Sequence, residues 1–187
     1  PYINAAKLLI TQITDFQNKS NVYDPLKYTE SNNLMDKWIL SKLASLLNLF
    51  EDKMKTYQLN CCIREFYKFI DDLTNWYIKF NRDRLRGLIN KEEWGVSLST
   101  LHFVMINSVK IIAPFVPFLA EYLYKHLRDA DSSNKEESIL LCSYPKLHKS
   151  MFNQYIETKI KRLQQIVKNV RLLRDSTLKL KTIRVPI

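Results

Sequence analysis

The chain has 187 residues, a mass of 22.3 kDa and a formal net charge of +10 at pH 7, enough for one substantial core without requiring a second. Its only two glycines, Gly87 and Gly95, exclude the glycine-rich turns that lay backbone amides on a nucleotide phosphate in Rossmann and P-loop folds. Cys61, Cys62 and Cys142 form no Cys-x-x-Cys pair, and His102, His126 and His148 show no metal-ligand spacing. Neither a zinc site nor a disulfide framework is expected, and the thiols fit a reducing compartment.

Apolar spacing predicts five or six amphipathic helices, and no segment alternates like a strand over more than a few residues, so the expected fold is all-α, an elongated bundle. A first helix is expected from about Asn4 to Phe16. An asparagine-rich linker follows from Asn18 to Asn33, where Pro25 prevents a long continuous helix. Asn33 can cap a second helix by accepting a free backbone amide, with Asp36 favourably placed in its first turn. Met35, Trp38, Ile39, Leu43, Leu46, Leu47, Phe50, Met54 and Tyr57 make its apolar stripe.

A third helix is expected from about Asn60 to Arg86, with Ile63, Phe66, Tyr67, Ile70, Leu73 and Tyr77 inward; unbroken, it would reach about 40 Å. Its weakest helix formers are Thr74 and Asn75, where a kink would re-aim the following tip. Ser97 is the expected cap of a fourth helix that ends at Ala113, because Pro114 disfavours helical geometry in the residue before it. Pro117 can open a fifth, with Phe118, Leu119, Tyr122, Leu123 and Leu127 as its inner stripe, and Asp129 to Glu137 reads as a solvated loop. A last helix from about Asn153 carries Ile156, Ile160, Leu163, Val167 and Val170. Thr182 to Ile187 looks like the start of an element the chain does not complete, so a fragment is expected, divided as a bundle over 1–150 and a basic terminal helix with its junction over 151–187. No cleaved signal is recognisable and no apolar run approaches the roughly 20 residues that span a bilayer, so the chain reads as soluble and intracellular.

The charge is unevenly placed. Residues 145–187 hold 11 of the 29 Lys and Arg but only 2 of the 19 Asp and Glu. Cations concentrated at one end attract a polyanion, either nucleic acid or an anionic membrane surface.

Two surfaces stand out. In the run from Asp71 to Arg86, Leu73, Trp76, Tyr77 and Phe80 follow helical spacing while Lys79, Arg82, Arg84 and Arg86 fall mostly on other faces, so a buried stem would deliver a cationic tip. Guanidinium forks match phosphate oxygens in pairs, and an exposed aromatic can stack on an unpaired base. Spacing alone leaves the plainer reading open, in which Trp76 is core and the arginines are a solvated face paired with Asp83. The second surface is the last helix, where Lys161, Arg162, Lys168, Arg171 and Arg174 surround a narrow apolar seam; these too could be ordinary soluble surface. Paired acids such as Asp71-Asp72, Glu92-Glu93 and Glu136-Glu137 lack any second cluster that would make a catalytic or metal site, and no catalytic residue is expected here.

The Thr74 to Gly87 run, Thr-Asn-Trp-Tyr-Ile-Lys-Phe-Asn-Arg-Asp-Arg-Leu-Arg-Gly, resembles the Asn-Trp-Tyr segment in the helical anticodon-binding domain of class I isoleucyl-tRNA synthetases. Pro1-Tyr2-Ile3-Asn4-Ala5, Met35-Asp36-Lys37-Trp38-Ile39-Leu40-Ser41, Ala113-Pro114-Phe115-Val116-Pro117-Phe118-Leu119 and Arg171-Leu172-Leu173-Arg174-Asp175 are similar to that family too, in its order and at about its spacing. The likeness is strongest to the cytosolic, eukaryotic-type enzymes and covers nearly the whole chain, matching poorly around 18–32 and 88–96.

The resemblance implies a domain that binds the anticodon stem-loop of an isoleucine-accepting tRNA through Asn75, Trp76, Lys79, Arg82, Arg84, Arg86, Lys168, Arg171 and Arg174, with Trp76 expected to be structural rather than stacking. It implies ATP and Mg for a parent enzyme in the cytoplasm, but no cofactor for this piece, in which the His-Ile-Gly-His and Lys-Met-Ser-Lys-Ser type signatures are absent. The implied partners are tRNA and the catalytic and C-terminal domains of the same polypeptide, with no membrane, no DNA and a monomeric fragment. The same module serves synthetases for valine, leucine and methionine. A non-enzymatic basic helical domain that binds an acidic protein or a membrane surface is the alternative of a different class.

Overall fold

Among the residues that the computed structural model describes, 1–19, 22–129 and 136–177, every regular element is helical. The α-helices are α1 (Tyr2–Asn18), α2 (Leu34–Lys55), α3 (Leu59–Asp71), α4 (Arg82–Leu85), α5 (Lys91–Ile112), α6 (Pro117–Arg128) and α7 (Gln154–Thr177). The expectation of an all-α bundle is met. Residues 130–135 of the expected solvated loop, and Thr182 to Ile187, lie outside the described residues.

The bundle is organised around α5. Val104, Met105, Val109 and Ile111 have no exposure at all, and α1, α2, α4 and α6 all pack on this helix. A helix that is apolar or small-polar on every side is stable only when it is surrounded. By length and composition Lys91–Ile112 could cross a bilayer, and 78% of its most apolar window is buried inside the bundle. The expectation that no apolar run approaches such a length is therefore corrected; interspersed Ser97, Ser99, Thr100 and Ser108 disguise the run in the sequence.

Helix α5 also begins earlier than expected. Its cap is Asn90, whose Oδ1 accepts the Glu93 amide at 2.7 Å, whereas Ser97 is buried mid-helix and donates to the Trp94 carbonyl at 2.9 Å. The signal was available in Asn90 followed three residues later by Glu93. Asn33 caps α2 as expected, accepting the Met35 amide at 2.8 Å. The linker before it is anchored by Tyr28, stacked on Phe103 with ring centroids 4.0 Å apart, and by the Tyr28 amide donating to Ser99 at 2.9 Å.

In α6 the inner face is Ala120, Leu123, Tyr124 and Leu127, rotated from the expected stripe. Phe118 is 92% exposed and Tyr122 also faces outward. Leu123 and Leu127 are buried as expected, joined by Ala120 and by Tyr124, whose hydroxyl donates to the Glu136 carbonyl at 3.2 Å. Helix α7 attaches to α2 near its start, where Glu157 accepts from Ser41 at 2.5 Å and Ser45 at 2.6 Å. Beyond Ile160 its apolar seam is open: Leu163, Ile166 and Val170 are exposed.

Candidate nucleic-acid interface

The expected continuous helix from Asn60 to Arg86 is interrupted in a specific way. After α3 the chain winds more widely through a π-helical segment, Asp72–Ile78, a feature that often accompanies functional sites. Thr74, one of the two residues marked as weak, donates its hydroxyl to the Ile70 carbonyl at 2.8 Å, the back-bonding that bends helices. The inward residues are Phe69, Leu73, Tyr77 and Asn81, four apart throughout. Phe80, expected with Trp76 and Tyr77 on the stem, is turned out of the core and is 61% exposed.

Asn81 then stops the winding. Its side-chain amide donates to the Tyr77 carbonyl at 2.9 Å and its Oδ1 accepts from Arg84 at 2.6 Å. Arg84 does not project to solvent. It is 6% exposed and its fork meets Asp36 of α2 at 3.1 and 2.9 Å, while its Nε donates to Glu93 of α5 at 2.7 Å. Asp36 is fully buried and also accepts from Tyr77 at 2.8 Å and Ser31 at 2.5 Å. Burial, and then the adjacent Asp36, pushes the Tyr77 hydroxyl well above the ordinary tyrosine value. Burial would lower the Arg84 guanidinium, but the hydrogen bonds and charge of Asp36 outweigh it and hold it above its usual value. The expectation that Arg84 meets tRNA is corrected, because its donors are spent inside the protein. Alternation of charge with apolar residues around position 84 gave no hint of the distant acid.

The tip is closed by Gly87, whose φ of +70 is accessible without strain mainly to glycine. A Cβ there would sit 2.6 Å from the Trp94 ring, and that ring's Nε1 donates to the Leu85 carbonyl at 2.9 Å. Both contacts press the tip onto the first turn of α5.

The remaining expected site residues fall into five places. Trp76, Lys168 and Arg171 line one groove of about 450 Å³ between the π segment and α7, together with Lys161, Asp71 and Asp72. Of the two acids, Asp72 is held by Lys42 at 3.1 Å and by Gln164 at 2.8 Å, and Asp71 accepts from Asn75 at 2.5 Å. Lys79 and Arg82 are exposed beside Phe80 on the tip itself, with no ion-pair partner among the described residues. Arg86 opens into a separate cleft beside Lys19 and Trp94, near the end of α1. Asn75 lines a third, apolar groove with Tyr2 and Leu119, away from Trp76. Arg174 is exposed near the end of α7 but does not line the Trp76 groove; 13 residues past Lys161, it falls on another face at 3.6 residues per turn.

Lys161, read in the sequence as one cation of the last helix but not as an expected tRNA contact, joins the Trp76 groove. It stands seven residues before Lys168 and ten before Arg171, which places all three on one side of α7 over about 15 Å. Among the described residues no group of three His, Cys, Asp or Glu side chains could hold a metal ion, and Cys61, Cys62 and Cys142 are free.

An all-helical bundle carrying a cationic groove and a rigid basic tip is the class that this architecture defines. A family model described as the anticodon-binding domain of tRNA ligase matches residues 36–184, and the chain belongs to that family. It is 35% identical over 193 residues to the cytoplasmic isoleucine–tRNA ligase of Saccharomyces cerevisiae, an alignment covering 97% of this chain and 18% of that protein. It is 36% identical over 186 residues to the cytoplasmic isoleucine–tRNA ligase of Arabidopsis thaliana, covering 97% of this chain and 16% of the relative. The isoleucine–tRNA ligase of Clostridium tetani is 36% identical over 156 residues, 82% of this chain and 15% of that protein. The chain thus spans less than a fifth of the length of the curated relatives it matches.

Proposed function

We propose that this domain docks the anticodon stem-loop of an isoleucine-accepting tRNA, holding it so that the acceptor end reaches a catalytic domain elsewhere in a longer isoleucine–tRNA ligase. The observation that carries the reading is the groove in which Trp76 faces Lys161, Lys168 and Arg171. Cations spaced along one side of a rigid helix neutralise successive backbone phosphates, and their effect on affinity is independent of base sequence. Lys79 and Arg82 extend the contact onto the tip, Arg174 adds charge on an adjoining face of α7, and Arg86 makes a separate contact near α1. The relatives named above support isoleucine as the cognate amino acid and the cytoplasm as the compartment. ATP and Mg belong, on this reading, to the catalytic domain of the parent protein, because the sequence has no glycine-rich phosphate-binding loop and the described residues hold no metal cluster. The piece itself acts as a monomer and carries no catalytic group.

Titration of labelled isoleucine tRNA across a salt series tests this. With about four phosphates neutralised, log affinity falls with a slope of roughly 3 against log salt. Substitution of valine, leucine or methionine tRNA in the same titration separates the isoleucine assignment from the shared module. A flat salt response, or binding to anionic vesicles in place of any tRNA, overturns it.

A further inference from the structure

The geometry points to Phe80 and Trp76 forming a stacking ledge for an unpaired nucleobase of the bound RNA, a specificity element that rests on the docking function proposed above. The two rings lie nearly parallel, 14° apart, with centroids separated by 5.8 Å. Trp76 is half-buried and turned toward the α7 groove, whereas Phe80 is 61% exposed. The sequence would have kept both rings on the stem; the wide winding of Asp72–Ile78 puts Asn81 inward in the place that Phe80 would take.

An apolar ring held this far into water is explained by what surrounds it. Lys79 and Arg82 are exposed on either side of it in the chain, and neither has a carboxylate partner among the described residues. Beyond Trp76 lie the cations of α7. A flat apolar face between cations matches an RNA loop, in which each nucleotide offers a π-face next to a phosphate, and base stacking on aromatic side chains is how unpaired loop bases are held. An apolar protein surface would find those flanking charges costly to desolvate. The ledge is also rigid, because Tyr77, between the two residues in the chain, is anchored to Asp36 and Asn81, just after them, is anchored to Arg84. Rigidity limits the entropy lost when a base settles on it.

The protein carries its own reporter. Trp38 and Trp94 are buried and Trp76 is half-buried, so Trp76 is the most accessible of the three tryptophans. Intrinsic fluorescence of the 187-residue chain is titrated with a synthetic hairpin of the isoleucine anticodon arm, and affinity for whole isoleucine tRNA is measured in parallel for wild type, Phe80→Leu and Phe80→Tyr. The expected result is quenching of Trp76, a loss of roughly tenfold in affinity for Phe80→Leu with an unchanged salt slope, and near wild-type affinity for Phe80→Tyr. A wild-type chain that binds tRNA while Phe80→Leu binds equally well overturns the ledge and leaves the docking function standing. A wild-type chain that binds no tRNA overturns both.

Discussion

Arg84 and Asp36, 48 residues apart in sequence, meet fork to fork inside the bundle, with Nη1 to Oδ1 at 3.1 Å and Nη2 to Oδ2 at 2.9 Å. The pair ties the end of the π-wound stem to the first turn of α2, and Glu93 ties the same guanidinium to the first turn of α5. Three elements therefore converge on one side chain, and the direction of the basic tip is set by it. A buried pair of this kind is stable chiefly as a pair, since each charge alone would be left without water or partner.

Arg84→Met is accordingly expected to destabilise the domain by about 3–5 kcal/mol, because the Asp36 carboxylate loses its main counter-charge in a site with no exposure. For a domain of this size that lowers Tm by roughly 10 °C. Arg82→Ala, two residues away but exposed, is expected to stay within about 0.5 kcal/mol of wild type while weakening tRNA binding. Thermal melts of the two variants check both halves. Equal Tm values for Arg84→Met and wild type would remove the clasp from the account.

Gly87→Ala probes the other side of the tip. The left-handed φ and the 2.6 Å approach of a new Cβ to Trp94 act together, so a loss of about 2 kcal/mol or more is expected. Denaturant unfolding measures it, and near-neutral behaviour would mean that the tip shifts freely on α5.

How much of this could be read beforehand differs from element to element. The helices themselves follow from 3.6-residue periodicity, and the Asn33 cap and the stop at Pro114 follow from local stereochemistry. What periodicity could not supply is which of several apolar faces a helix turns inward: α6 shows Phe118 and Tyr122 to solvent because only one side meets α5. The site was visible as composition, a cluster of aromatic and basic residues near Trp76 and along α7. Its geometry was not, because π winding leaves no period of its own over seven residues, and the Arg84 to Asp36 contact joins segments that local spacing cannot relate. Spacing treats Arg82, Arg84 and Arg86 alike, and the fold sends them to three different environments.

Alkaline pH offers an independent check on the buried hydroxyls. Tyr2, bonded to Ser108 at 2.6 Å, and Tyr77 are both held above the ordinary tyrosine value, in each case first by burial. A group whose folded pKa is raised contributes stability that is fully present below its unfolded value, about 10 for tyrosine, and is lost as pH climbs beyond that. Stability is therefore expected to hold up to about pH 10 and to fall above it, with tyrosinate absorbance from these two residues appearing only as helical circular dichroism is lost. Complete tyrosine ionisation in a fully helical chain would contradict the packing described.

If tRNA lies in the groove between the π segment and α7, the salt dependence of its binding must change in a Lys168→Gln, Arg171→Gln double variant. These side chains are exposed and have no ion-pair partner among the described residues, so the fold is expected to be unaffected. Each phosphate contact removed should lower the slope of log affinity against log salt by about 1. A slope smaller by about 2 with Tm unchanged is expected; a double variant with the wild-type slope and wild-type affinity would show that the tRNA does not lie in this groove.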